Sequence, residues 1–230
     1  MKIANESELA KFIKQYPDTK MMEILMPDMN GIVRCKRIPR EEFSTFFCHG
    51  VKGPASTTLL NVRGEFCDEV DFANLEGDPD KLIYPVAGTL APITWLKSDT
   101  AQVLATFTEL DGSPALFDAR NILYKALLPL QAKGLSPVVA TELEFYLIKN
   151  GDGALPELFL AKIPGTNIDQ SGTQYAMPED LWDNDQFLED VRLACELQNV
   201  PMTTVHSEFS PGQFEINLHH VDNPVTACDH

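Results

Sequence analysis

Glu142, Glu144, Glu208 and Glu215 lie in two short strand-like segments, at spacings that aim all four side chains the same way. Residues 138–148 are rich in β-branched and aromatic side chains. A period of two puts Glu142 and Glu144 on one face there, and Leu143, Phe145 and Leu147 on the other. The second segment, residues 208–215, reads as a hairpin with Pro211-Gly212 at its tip. Its expected pairs are Ser210 with Gln213, Phe209 with Phe214 and Glu208 with Glu215. Two carboxylates directly opposed at ~5 Å repel by about 3 kcal/mol at an effective dielectric of ~20. A bound cation reverses that sign, and Mg²⁺ and Mn²⁺ both take carboxylate oxygens. The competing reading of either segment alone is a solvated strand face; together they point to a metal site.

Other titratable groups say less. His206 shares the Glu208 face, so it either approaches the acidic cluster or is a packed strand histidine. His219 and His220 alternate faces, and His49 precedes Gly50 in a loop. Cys35, Cys48, Cys67, Cys195 and Cys228 are dispersed without a Cys-x-x-Cys and read as reduced thiols. The chain carries 34 acidic against 18 basic residues, a net charge of -16, which argues against nucleic acid or an anionic membrane as partner. No apolar run approaches a membrane span and the amino terminus lacks a signal-peptide pattern, so the expected location is the cytoplasm. Acidic clusters at 65–80 and 179–190 are expected to be solvated faces.

The elements that must hold the glutamates can be read from pattern. Residues 8–16 form an amphipathic helix, and 21–26 with 32–38 flank Asp28-Met29-Asn30-Gly31, a hairpin turn. Pro39 starts a helix to about Cys48, and strands are expected at 57–62, 93–96 and 102–109. Asp111-Gly112-Ser113-Pro114 is the expected boundary between domains 1–111 and 112–230. Asp118 then caps a helix with Ile122, Leu123, Ala126, Leu127 and Leu130 at helical spacing, closed by Gly134. Residues 151–172 are loop-rich and carry no Gly-x-Gly-x-x-Gly or P-loop. Residues 180–198 read as one helix with Trp182, Phe187, Leu188, Val191 and Leu193 inward, and Asn223 with Pro224 opens a last helix.

Glu142-Leu143-Glu144-Phe145-Tyr146-Leu147, followed by His206-Ser207-Glu208-Phe209-Ser210-Pro211-Gly212-Gln213-Phe214-Glu215-Ile216, resembles glutamine synthetase and its γ-glutamyl-polyamine synthetase relatives. Gly77-Asp78-Pro79-Asp80, Tyr84-Pro85, residues 88–95 and Glu109-Leu110-Asp111-Gly112 extend the likeness. The resemblance implies an α+β protein: a small β-grasp-like amino-terminal domain, then an incomplete catalytic domain with a curved antiparallel sheet. It implies one ion on Glu144, Glu208 and Glu215, and Glu142 as a ligand of a second ion at the nucleotide phosphates. The implied reaction joins glutamate to ammonia or a small amine through γ-glutamyl phosphate at the expense of ATP, in a ring-shaped homo-oligomer. Asn61 stands about where ammonia-using members carry Asp, which favours an amine. The family's remaining ligands and its arginines have no match in this chain, so the 230-residue chain alone is expected to be inactive. The alternative is a catalytically incomplete fragment or remnant that keeps a metal site and serves binding or assembly.

Overall fold

The computed structural model describes residues 2–66, 77–149, 151 and 155–230. Cys67 and most of the acidic stretch 65–80 lie outside the described residues. The chain divides into two compact units, residues 1–136 with Asp229 and residues 137–228 with His230. Both mix helices with sheet, so the class is α+β. No helix among the described residues is long and apolar enough to cross a membrane.

In the first unit, helix α1 (Glu6–Gln15) starts where the Asn5 side chain accepts the Ser7 and Glu8 N–H groups. Strands β1 (Met21–Pro27) and β2 (Val33–Pro39) pair from Met21 opposite Pro39 to Pro27 opposite Val33. Asp28 makes that turn: its buried carboxylate accepts the Asn30 and Ile32 N–H groups and two bonds from Arg34. Burial alone would raise the Asp28 carboxyl. The N–H groups of Ile32 and Asn30 and the Arg34 guanidinium outweigh it and hold the group below its ordinary value. A 3₁₀ turn (Arg40–Glu42) leads into α2 (Phe43–His49), which Gly50 ends at positive φ. Then come β3 (Val51–Pro54), β4 (Asp80–Pro85), β5 (Ala91–Pro92) and β6 (Thr100–Thr108). The sheet order is β2-β1-β6-β4-β3, with β1 and β6 parallel and β5 also on β6.

Two expected strands are absent. Residues 55–58 form a 3₁₀ turn in which Thr58 Oγ1 bonds the Ala55 and Phe117 carbonyls, and Asn61 Oδ1 then accepts the Arg63 and Glu65 N–H groups. Local side-chain bonds there replace a ladder. At 93–96 the Ile93 N–H still reaches Thr100 O, but the chain leaves the sheet in a series of bends. Helix α3 (Ala119–Gln131) begins as expected at Asp118. One Asp118 oxygen accepts Arg120 N–H and the other accepts Thr106 Oγ1 and Phe107 N–H, fastening the helix start to β6.

The second unit holds β7 (Glu142–Tyr146), β8 (Ile148–Lys149), β9 (Glu157–Leu158), α4 (Pro178–Asp183), α5 (Asp185–Gln198), β10 (Met202–Ser207), β11 (Gln213–Leu218) and α6 (Pro224–Asp229). The expected single helix over 180–198 is two. Asn184 Nδ2 takes the Asp180 carbonyl and stops α4, and α5 ends at Asn199 in the left-handed region. Leu188 is buried, but Trp182 is 68% exposed and is not core. Within the acidic stretch 179–190, Asp180 is buried rather than solvated. Asn223 accepts the Val225 N–H and opens α6 as its sequence indicates.

Candidate metal centre

Strands β10, β11 and β7 form an antiparallel sheet in that order, with β11 in the middle. Period two and register together set its rows. Glu144 faces Glu215, which faces His206 on the far side; one row away Glu142 faces Asn217, which faces Thr204. On the other side of that central row Tyr146 faces Gln213, whose carbonyl accepts the Glu208 N–H at 2.8 Å. All four glutamates therefore sit on one face, as the spacing predicts. The opposite face carries Leu143, Phe145, Phe214 and Ile216, with Phe145 stacked on Phe214 at 6.0 Å.

The hairpin register differs from expectation. Glu208 does not oppose Glu215; His206 does, and Glu208 is level with Gln213. Gln213 N–H closes a turn onto Ser210 O, with Gly212 at φ 75 as a Pro-Gly turn requires. Beyond that turn the ladder has slipped by two residues, which moves every partner and keeps every face.

Side-chain amides orient the carboxylates. Glu144 Oε2 accepts Gln213 Nε2 at 2.6 Å, Glu215 Oε1 accepts Asn217 Nδ2 at 2.6 Å, and Glu208 Oε2 accepts the Phe209 N–H at 2.8 Å. The other oxygens of Glu208 and Glu215 point to His206 Nε2, at 3.4 and 3.7 Å. One ligand atom from each of His206, Glu208 and Glu215 lies within 4.8 Å of the others. Two donors to one ion with bonds of ~2.1 Å stand at most ~4.2 Å apart. Both imidazole–carboxylate pairs meet that already, so the donor set fits a divalent cation that accepts oxygen and nitrogen. Glu144 adjoins this cluster through its pairing with Glu215, and Glu142 stands one row further out.

With nothing in the chain to roof the site, all four glutamates are expected to be highly exposed; Glu142 and Glu144 are, but Glu208 is half-buried and Glu215 is only 9% exposed because it sits on the middle strand between Glu144 and His206. Gln213 and Asn217, two residues either side of Glu215, are missed when only charged residues are sought. The period of two places them on the acidic face and carries the signal that finds them. Cys35, Cys48, Cys195 and Cys228 are free thiols remote from these ligands in sequence.

A profile of the glutamine synthetase catalytic domain matches residues 116–230. The γ-glutamylputrescine synthetase PuuA of Escherichia coli K12 is 35% identical over 222 residues, covering 96% of this chain and 47% of the relative. A glutamate–isopropylamine ligase of a Pseudomonas species is 27% identical over 206 residues, covering 88% of this chain and 43% of the relative. The solved structure of GmaS with ADP superposes with a TM-score of 0.73 at 18% identity, over 96% of this chain and 46% of that one, a likeness of fold. The chain thus spans about half the length of the curated relatives it matches.

Proposed function

The chain belongs to the glutamine synthetase family, and we propose from this that its acidic sheet face is part of the site of an ATP-dependent glutamate–amine ligase. The observation that carries the reading is the row Glu144–Glu215–His206 with Glu208 beside it, a donor cluster on one sheet face. Glu144, Glu208 and Glu215 would hold one Mg²⁺ or Mn²⁺, and Glu142 would contribute to a second ion at the ATP phosphates. Bound there, a divalent cation neutralises charge on phosphate and carboxylate oxygens. Gln213 and Asn217 keep the carboxylates aimed by occupying their outer oxygens.

In the proposed reaction a glutamate γ-carboxylate oxygen attacks the terminal phosphorus of ATP and ADP leaves. The amine nitrogen then attacks the acyl carbon, phosphate departs with the C–O bond electrons, and the nitrogen loses a proton. An amine rather than ammonia is supported by the amine ligases among the relatives and by Asn61. That residue's side chain is spent inside its own loop, donating from Nδ2 to Glu65 at 3.0 Å while its Oδ1 accepts two N–H groups. The proposal includes a β-grasp-like domain over 1–111, a catalytic portion over 112–230, a ring-shaped homo-oligomer and a cytoplasmic setting.

Calorimetric melting with and without Mn²⁺ tests the site. At 100 times its dissociation constant, the ion should stabilise the chain by ~2.7 kcal/mol. Glu208→Gln should remove most of that gain and leave the metal-free protein no less stable. A variant as responsive as the parent would falsify the assignment. Joined to the carboxy-terminal half of a γ-glutamylputrescine synthetase, the chain should release phosphate from ATP with glutamate and putrescine faster than with ammonia. The reverse preference overturns the amine reading.

A further inference from the structure

Two hairpin registers keep every side chain of β10 and β11 on its observed face, because they differ by two residues. A two-residue Pro211-Gly212 loop would give the Gln213 carbonyl to Ser210 N–H and set Glu208 opposite Glu215. In the structure that carbonyl takes Glu208 N–H, Ser210 N–H turns to the Gln213 side chain at 3.2 Å, and His206 moves opposite Glu215. Hydrophobic patterning does not choose between the two, so another interaction must.

Gln174 is wholly buried, an unusual place for an uncharged polar side chain of its size unless both ends of the amide are satisfied. Its Nε2 donates to Gln213 O at 2.9 Å and its Oε1 accepts Gly212 N–H at 3.1 Å. The backbone around it grips the other strand. Ser207 Oγ donates to Gln174 O at 3.0 Å and accepts Met177 N–H at 2.9 Å, and Ala176 N–H donates to Ser207 O at 3.0 Å. Residues 174–177 therefore hold Ser207 on β10 and residues 212–213 at the return of the hairpin with one fixed offset. The tight register would slide Ser207 two places along β11, from Phe214 to Ile216, a displacement of about 7 Å at strand rise. The same short segment cannot then reach both.

We propose that Gln174 is a positioning residue for the cation site. By bridging Gly212 and Gln213 while Ser207 holds its own carbonyl, it selects the register that puts the His206 imidazole beside Glu208 and Glu215 in the ligand set. This rests on the metal reading above. It goes beyond that reading by adding a nitrogen ligand and by naming the buried amide that brings it there.

The test uses the 230-residue chain loaded with Mn²⁺ and read by electron spin echo envelope modulation, which detects a directly bound imidazole nitrogen. The parent should show the nitrogen coupling and His206→Gln should lose it. Gln174→Met, close in volume but without the amide, should keep its circular dichroism, lose the coupling and bind Mn²⁺ about tenfold or more weakly. If that buried change prevents folding, Ser207→Ala, which releases the Gln174 carbonyl, should move both readings the same way. A folded Gln174→Met or Ser207→Ala protein with parental coupling and affinity overturns the inference, as does a parent that binds Mn²⁺ with no nitrogen coupling. A parent that binds no Mn²⁺ sinks the metal reading itself and this inference with it, a separate result from the other two.

Discussion

Phe46, Met22, Ile24, Val103 and Phe107 of the first unit are sealed between α1, α2 and a mixed sheet, whereas the sheet of the second unit buries little beyond its middle strand. On β7, the neighbour of that middle strand, Leu143 is 45% exposed although it lies on the apolar face. The first unit is fixed by shape, since a close-packed interior leaves few alternative arrangements. The second has carboxylates on one face and a partly open apolar surface on the other, so packing leaves its register undetermined. Polar groups set it instead: Gln174, Ser207, Gln213 and Asn217 each hold a backbone group or a carboxylate in place. A surface that must gather like charges cannot be specified by hydrophobic burial alone, and here one buried amide, two half-buried ones and a hydroxyl supply the specification.

The largest expected effect separates the two modes directly. Phe46→Ala should cost about 3–5 kcal/mol, as transfer and cavity penalties add at a fully buried aromatic. Leu143→Ala, already half in water, should cost less than about 1 kcal/mol. Urea denaturation of both variants measures the difference, and equal losses would break the contrast.

A smaller effect, in pH, concerns the second unit. Asp180 is 1% exposed, its Oδ2 has no hydrogen-bond partner, and burial foremost, with Asp183 and Glu179 nearby, pushes its carboxyl up to about 6. A folded-state value above the ordinary 3.8 means that the native state holds the proton more tightly. The stabilisation is complete below pH 3.8 and is lost as pH rises through about 6. Asp180→Asn should therefore remove that slope. It should nearly match the parent near pH 4 and exceed it at pH 7 by ~3 kcal/mol, since each tenfold difference in proton affinity between the folded and unfolded chain is worth about 1.4 kcal/mol. Melting across pH 4–7 decides, and a variant that keeps the parental slope would show that another group carries it.

The local half of this structure is legible in the sequence and the long-range half is not. The Glu-x-Glu strand follows from period two, the Asp28–Gly31 turn from its residue types, and the caps at Asp118 and Asn223 from one polar side chain each. These are decided within a few residues of chain. The hairpin register is decided by a glutamine 39 positions before its partner, so Pro211-Gly212 read by itself indicates a tighter loop than forms. The break between α4 and α5 likewise turns on the Asn184 amide capturing the Asp180 carbonyl, a competition that apolar spacing does not register. The missing strands at 57–62 and 93–96 have the same origin, since β-branched residues suit a strand but Asn61 and the bends after Ile93 give their backbone groups other settings.

Trp182 provides the smallest effect and the sharpest test of that distinction. Helical spacing over 180–198 turns it inward, and a buried tryptophan truncated to alanine would lose about 3–5 kcal/mol. The break at Asn184 separates α4 from α5, so the apolar stripe of one helix does not continue into the other. Trp182 consequently projects outward at 68% exposure while Leu188 on α5 is buried. Trp182→Ala should then change stability by no more than about 0.5 kcal/mol, the usual range for surface changes. In the parent protein Trp182 should be open to a water-soluble fluorescence quencher. Urea denaturation together with quenching, the latter in a Trp95→Phe background, gives both readings. A loss of several kcal/mol, or a tryptophan shielded from quencher, would mean that the helix runs unbroken and that apolar spacing alone places this side chain.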